Sequence, residues 1–245
     1  CGAMKFKKNI KMKNKSIVIF GSSGDVGLSL AKNYLDQGYN LVLTYNKNLK
    51  SIKRHFKFNQ NNKSQLFFVK CNFKNEGSIK NVIKFTFKKI GEPSIIINSV
   101  GIFYYDKLNN FNYKKITDTF KINTFSVLSI NKALYQLKKK SNITKVISIG
   151  SSSALNGFKD TYSYCGSKHA LLGIIKSLNE TIYNKNIFNY CLNLGSIKNK
   201  MGKKVRRGNY KKFINQNSVV KTANLITSLE FPAFPEEIYL KRFKY

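Results

Sequence analysis

Tyr164 and Lys168 stand four residues apart, and Ser151 precedes the tyrosine by thirteen. A phenol, an ammonium and a hydroxyl are the groups needed to hand a proton to a carbonyl oxygen and to hold that oxygen while the proton arrives. Spacing decides whether they meet. From Thr161 to about Tyr183 the apolar residues Ala170, Leu171, Ile174, Ile175 and Leu178 recur at helical spacing, which puts Tyr164 and Lys168 on one face a turn apart. A free phenol titrates near ~10, and a neighbouring cation is expected to draw it down so that it can work as a general acid or base at neutral pH.

The elements around these residues must bring the serine to the tyrosine. Lys145 to Ile149 reads as a buried parallel strand that ends in Gly150 and three serines, so its C-terminal end delivers Ser151 beside the helix that carries Tyr164. Further upstream, Ser16 to Phe20 is an apolar β-branched run followed by Gly21-Ser22-Ser23-Gly24-Asp25-Val26-Gly27 and a helical pattern from Leu28 to Gln37. Strand, glycine turn and helix in that order let the backbone approach a pyrophosphate and offer it the positive end of a helix. Gly21, Ser23, Gly24, Val26 and Gly27 are therefore candidate cofactor residues, with Asp25 expected to point outward, away from phosphate.

The remaining chain alternates strand and helix. Strands are expected at Tyr39–Thr44, Gln65–Lys70, Ile95–Ile97, Ile187–Leu194 and Glu237–Phe243, with helices at Glu76–Lys89, Val219–Leu229 and one long helix from Phe111 to about Lys140. This is the pattern of an α/β fold, a single Rossmann-type doubly wound parallel sheet of about seven strands with helices on both faces. Residues 1–15 read as a basic arm with an added remnant at Cys1-Gly2-Ala3, and 16–245 as one dinucleotide-binding catalytic domain with a substrate lid around 198–217.

Tyr164-x-x-x-Lys168 with Ser151, preceded by the glycine turn, resembles the short-chain dehydrogenase/reductase family from about Ile17 to Met201. The turn differs at Asp25, where the family more often has glycine. Asn98-Ser99-Val100-Gly101 is similar to the family's Asn-Asn-Ala-Gly, and Asn193-Leu194-Gly195-Ser196-Ile197-Lys198-Asn199 to its Pro-Gly-x-x-x-Thr stretch, with Leu194 and Asn199 as departures. The usual C-terminal ending is missing. The resemblance implies an NAD(P)-dependent oxidoreductase in which Ser151, Tyr164 and Lys168 are catalytic and Asn123 orders a water that feeds protons to Lys168. It further implies cofactor contacts from Asn72, Asn98, Gly101, Tyr164, Lys168, Gly195 and Ile197.

The second strand ends in Tyr45-Asn46-Lys47 with no carboxylate. An acid there would grip the ribose hydroxyls of NAD(H), whereas Asn46 and Lys47 accommodate a 2′-phosphate, so NADP(H) is expected over NAD(H). The substrate is expected to be a small-molecule carbonyl, a 3-oxoacyl thioester held on acyl carrier protein, with a sugar or other anionic ketone as the alternative. A nucleotide-sensing or nucleic-acid-binding protein on the same fold is the rival of another class.

Charge bears on that rival. Lys plus Arg number 44 against 11 acidic residues, a net charge of +33. Only four of the basic residues are arginine, and lysine is spread evenly through a chain rich in asparagine, so composition drift explains the excess better than base readout, and no specific nucleic acid is expected. No apolar run reaches the ~18 residues a bilayer requires and no signal-peptide pattern is seen, so neither membrane nor export is expected, and the protein reads as cytoplasmic. Cys1, Cys71, Cys165 and Cys191 lack metal-ligand spacing and are expected to be free thiols, with no metal site. A homodimer or homotetramer is expected from the family.

Overall fold

The computed structural model describes residues 15–47, 49–56, 65–110, 112–139, 142–204, 209–230 and 233–242. Residues 1–14 of the basic arm, Arg206 and Arg207 of the expected lid, both ends of the expected Phe111–Lys140 helix and the end of the last strand at Phe243 lie outside them.

Seven strands form one sheet: β1 (Ser16–Phe20), β2 (Asn40–Tyr45), β3 (Leu66–Lys70), β4 (Ile95–Asn98), β5 (Thr144–Ile149), β6 (Ile187–Leu194) and β7 (Glu237–Leu240). Their order is β3-β2-β1-β4-β5-β6-β7 and every neighbouring pair is parallel. The chain winds outward from β1 to β3, then returns to β4 on the other side of β1. That reversal opens a crevice at the C-terminal ends of β1 and β4. Phe20 is level with Asn98, and Asn98 with Ser148, so the loops leaving β1, β4 and β5 all emerge at one edge.

Both faces of the sheet are covered, which is why its strands are continuous apolar runs rather than alternating ones. Ile17 and Ile19 pack with Leu30 and Ala31 of α1 (Asp25–Asp36) and with Val219, Ala223 and Ile226 of α7 (Gln216–Ser228). A short helix, α2 (Leu49–Lys53), adds Ile52 to that layer. Val18 and Phe20 face the other way, against Ile79 and Ile83 of α3 (Glu76–Ile90) and Ile130 and Leu134 of α5 (Ser126–Leu137). The helix α6 (Tyr162–Ile182) completes that layer, with Leu171, Leu172 and Ile175 buried over Cys191.

The expected single helix before β5 is interrupted. A helix α4 (Tyr113–Phe120) leads into a π turn over Lys121–Phe125, and α5 follows. A π turn inserts one extra residue into a helical ladder and recurs at functional sites. Here it holds Asn123, whose buried amide makes three hydrogen bonds that regular helical periodicity cannot reveal.

At the other edge, Lys145 of β5 is buried and donates to the carbonyls of Ile226 (3.0 Å), Thr227 (3.1 Å) and Leu229 (2.6 Å). The last carbonyls of a helix have no partner within it, so this lysine closes the C-terminal end of α7 from beneath. Among the described residues no helix is long and apolar enough to cross a membrane, and no group of three His, Cys, Asp or Glu could hold a metal ion. Cys71, Cys165 and Cys191 are buried free thiols.

Candidate active site

The loop leaving β1 is shaped by its glycines. Gly21 has φ +78°, and a Cβ there would lie 3.0 Å from the Ser99 backbone. At Gly27 a Cβ would lie 2.4 Å from the Gly21 carbonyl oxygen and 2.6 Å from Ser99 Oγ. Both positions must be glycine for the turn to close on β4. Ser99, where the family has asparagine, donates its hydroxyl to the Phe20 carbonyl at 2.7 Å and is small enough to fit there. The turn is also tied to β2, with Gly21 N–H donating to Thr44 Oγ1 (3.1 Å) and Ser22 Oγ to the Thr44 carbonyl (2.7 Å).

The helix α1 begins at Asp25, inside the glycine turn and three residues before the expected start, with Gly24 as its N-cap. Ser23 and Gly24 are exposed at the apex, and Val26 lines the cleft. Asp25 does not point freely into solvent. Its Oδ2 accepts the Lys200 N–H at 2.7 Å, which uses the carboxylate to hold the loop after β6.

Gly150, Ser151, Tyr164, Lys168, Gly101, Gly195 and Ile197 line the same cleft. Ser151 leaves β5 in extended conformation, its Oγ accepting the Ser153 N–H at 3.1 Å, and it lines the cleft together with Tyr164. Lys168 is buried one turn along α6 and donates to the Ile149 carbonyl at 2.9 Å. Its Nζ lies 5.9 Å from the centre of the Tyr164 ring. Burial pushes the ammonium down to about 8, and the Cys191 thiol beside it acts in the opposite sense.

The tyrosine therefore differs from expectation. Although an edge of its ring opens on the cleft, burial raises the phenol above its ordinary range, and the neighbouring Ser151 hydroxyl offsets only part of that rise. Lys168 is turned to a main-chain oxygen, and its ammonium does not outweigh the burial of the phenol. The consequence is a phenol that keeps its proton at neutral pH, which is the form a general acid requires.

Asn123 reaches the site through backbone. Its Oδ1 accepts the Ile102 N–H at 2.8 Å, and its Nδ2 donates to the Ile102 carbonyl and to Ser167 Oγ, both at 3.0 Å. A Cβ on Gly101 would sit 3.7 Å from Asn123 Oδ1 and 3.9 Å from Lys168 Nζ, so these three residues surround one point. Asn98 is buried at the end of β4, with long contacts of 3.4 Å to Ser126 Oγ and the Val100 N–H.

The residues expected around the adenosine end lie apart from this cluster. Asn46 and Lys47 are exposed beyond β2, and Asn72 is exposed beyond β3 with its carbonyl accepting the Lys74 N–H at 3.1 Å. At the other end, Gly195 N–H donates to the Leu240 carbonyl (3.0 Å), and Asn199 Oδ1 accepts the Gly202 N–H (2.6 Å).

Two further residues shape the cleft without having been visible in the sequence. Asp106 is buried and accepts the Ser163 N–H at 2.9 Å and the Ser163 hydroxyl at 2.7 Å, anchoring the first turn of α6 just ahead of Tyr164. The Phe103 ring stands edge-on to Tyr164 at 5.0 Å and, in the same edge-to-face manner, meets Tyr105 at 5.0 Å. An acid in an otherwise acid-poor segment was the available signal for Asp106, but its partner is 57 residues away.

Comparison with known proteins decides the family. Residues 15–209 match the family described as short chain dehydrogenase. The chain belongs to that family. It is accordingly an NAD(P)-dependent oxidoreductase with a Rossmann-like fold. Among relatives, the chain is 27% identical over 208 residues to the 3-oxoacyl-(acyl-carrier-protein) reductase FabG of Buchnera aphidicola from Acyrthosiphon pisum, covering 84% of this chain and 83% of that one. It is 23% identical to secoisolariciresinol dehydrogenase of Forsythia intermedia, over 93% of this chain and 80% of that one. A short chain dehydrogenase from Burkholderia cenocepacia, solved in complex with NADP, superposes with a TM-score of 0.81 at 17% identity, covering 93% of this chain and 96% of that one.

The residues present fit a nicotinamide dinucleotide. The glycine turn packs closely on Ser99 and leads straight into the N-terminus of α1, and the one charged side chain among the described residues lining the cleft is a cation, Lys168.

Proposed function

We propose that this protein is an NADPH-dependent reductase of a substrate carbonyl, with Tyr164 as general acid. The observation that carries this reading is that Ser151, Tyr164 and Lys168 line the wall of one cleft, with the phenol raised above its ordinary range by burial. Bound reduced nicotinamide supplies the hydride. Ser151 holds the carbonyl oxygen, and Tyr164 donates its phenolic proton to that oxygen as negative charge develops on it. The Lys168 ammonium lies close enough to stabilise the phenolate left behind and to bind the nicotinamide ribose hydroxyls. Asn123 keeps Ile102 and Ser167 in place on either side of Lys168 and orders the water that returns a proton. Gly21, Ser23, Gly24, Val26 and Gly27 would hold the pyrophosphate; Asn98, Gly101, Gly195 and Ile197 would border the nicotinamide half.

We assign a 3-oxoacyl thioester as substrate class. Phe103, Leu194 and Met201 give the cleft apolar walls that suit an acyl chain better than a sugar, and the acyl-carrier-protein reductase at 27% identity supports the same choice. An acidic carrier would be attracted by a net charge of +33. NADP(H) is favoured over NAD(H) by Asn46 and Lys47, which stand exposed past β2 with no carboxylate beside them in sequence, while Asn72 borders the adenine. Residues 198–217 form the substrate lid of the single catalytic domain, 16–245. Exposed Phe125, Leu128 and Tyr135 on and beside α5 support a homo-oligomer, and the cytoplasm is the compartment that supplies such a substrate. The test is NADPH consumption against a panel of an acetoacetyl thioester, a ketose phosphate and an unactivated ketone. Turnover led by the thioester supports the assignment; turnover led by the ketose phosphate transfers the protein to the sugar-reductase reading.

A further inference from the structure

The residues Ile187 to Leu194 of β6 alternate in a way that their neighbours do not. Tyr190, Leu192 and Leu194 face the α1/α7 layer, whereas Asn189, Cys191 and Asn193 point to the α6 side. Asn189 and Asn193 are fully buried. A buried amide is costly unless its hydrogen bonds are made, so what each one bonds to is informative.

Asn193 is bonded on both ends. Its Oδ1 accepts the Ser151 N–H at 3.0 Å and, more weakly, the Cys191 thiol at 3.4 Å; its Nδ2 donates to Glu237 Oε1 at 2.8 Å. Room for this is made by Gly150, where a Cβ would fall 2.0 Å from Asn193 Oδ1 and 2.9 Å from Cys191 Sγ. The second oxygen of Glu237 lies 3.5 Å from Lys176 Nζ, two turns beyond Lys168 on α6. Next to it, Glu236 accepts from Asn179 of α6 at 2.7 Å, and the same Asn179 amide donates to the Asn189 carbonyl at 2.9 Å. A pair of acids at the start of β7 thus grips both the strand exit that carries Ser151 and the helix that carries Tyr164 and Lys168.

We infer that Glu237 is a positioning residue for the reaction: it orients the Asn193 amide, and the Asn193 oxygen fixes the backbone of Ser151. The inference rests on the reductase reading above. The reason lies in the two-ended nature of an amide. With a carboxylate on one side, the NH₂ end must face Glu237, which leaves the oxygen end for the Ser151 N–H. Without the carboxylate the amide loses its orientation and can present NH₂ to N–H, donor against donor, which displaces Ser151. Because Ser151 lines the same cleft as Tyr164, a displacement there alters the placement of the substrate oxygen relative to the phenol, while the glycine turn and Lys47 are untouched.

Three variants test this. Glu237→Leu removes the acceptor, Glu237→Gln retains an oxygen for Asn193 Nδ2, and Asn193→Ala removes the link itself. Expected for Glu237→Leu is a fall in kcat between about 10- and 100-fold, the range that small misplacement of a reacting group produces, with the NADPH dissociation constant within twofold of wild type. Glu237→Gln should recover most of that rate, and adding Glu237→Leu to Asn193→Ala should give no further loss. Amide hydrogen exchange in the cofactor-free protein supplies a readout independent of activity: the Ser151 N–H should be protected in wild type and Glu237→Gln and exchange faster in Glu237→Leu. A Glu237→Leu protein with wild-type kcat, or with Ser151 protection unchanged, overturns the inference. So does a variant whose melting temperature drops while kcat per folded molecule holds, since that is what a purely structural residue does. Absence of any reductase activity in the wild-type protein would instead remove the functional reading, and the exchange experiment would still decide whether Glu237 fixes Ser151.

Discussion

The Asp25 carboxylate in the first turn of α1 accepts the main-chain N–H of Lys200 at 2.7 Å, joining the glycine turn to the loop that follows β6. A second link runs in parallel, from Ser29 Oγ to Gln216 Oε1 (2.6 Å) and from Gln216 Nε2 to the Lys198 carbonyl (2.9 Å). The two halves of the cleft are thereby held together. Asp25→Ala should free the loop. Loss of one partly exposed charge-assisted bond is worth about 1 kcal/mol, so local opening and tryptic cleavage after Lys198 or Lys200 should quicken about fivefold, and Asp25→Asn, which keeps an acceptor, should stay near wild type. Equal cleavage rates for all three proteins would show that the bond does not restrain the loop.

Lys145 predicts a stability effect remote from the site. Lys145→Met strips the carbonyls of Ile226 and Thr227 in α7, and of Leu229 just beyond it, of their donor and should destabilise the protein by about 2 kcal/mol, read as a lowered melting temperature. The pH dependence has a definite sign. Burial pushes Lys145 down to about 8 from an ordinary 10.5, so between those values the unfolded chain binds more protons than the folded one, and this lysine's contribution to stability grows as pH rises from about 8 toward 10.5. The melting-temperature gap between wild type and Lys145→Met should widen across that interval; a gap that narrows contradicts the assignment.

Lys168 gives the corresponding prediction for rate. Its ammonium sits at about 8, and the proposed chemistry needs it charged, so kcat/KM should fall as pH rises through about 8. A kcat/KM flat up to pH 10 would mean that the charge on Lys168 plays no part.

How much of this could be read from the residues alone differs by element. The strands were legible because a parallel sheet covered on both faces needs unbroken apolar runs, as in Ile17–Phe20 and Ile95–Ile97. The glycine turn and the Tyr164–Lys168 spacing were legible because short local geometry dictates residue type. The π turn at Asn123 was not, since helical periodicity averages over one extra residue. Nor were the contacts of Asp25, Asp106 and Glu237, whose partners lie 175, 57 and 44 residues away. Tyr164 and Lys168 lie close, as their spacing indicates, but the phenol is raised rather than lowered, because burial outweighs a cation whose Nζ lies 5.9 Å from the ring centre and is turned to Ile149.

Cofactor choice rests on the exposed end of β2. Lys47 should contribute at most about 1 kcal/mol as a partly exposed ion pair, and further hydrogen bonds to the phosphate about as much again, so NADPH should bind about ten- to thirtyfold more tightly than NADH. Lys47→Glu should reverse that preference in a fluorescence titration. Unchanged affinities in Lys47→Glu would move the source of selectivity elsewhere.

The central claim is that the Tyr164 phenol gives its proton to the substrate oxygen, and a comparison of Tyr164→Phe with wild type tests it most directly. The measurement is single-turnover oxidation of NADPH in the presence of an acetoacetyl thioester, alongside NADPH binding to the protein alone. Removing the hydroxyl keeps the ring that packs on Phe103, so fold and cofactor affinity should be nearly unchanged. The chemical step should slow by about 10²–10⁴-fold, the contribution of a positioned general acid. A Tyr164→Phe protein that turns over within threefold of wild type would contradict the claim.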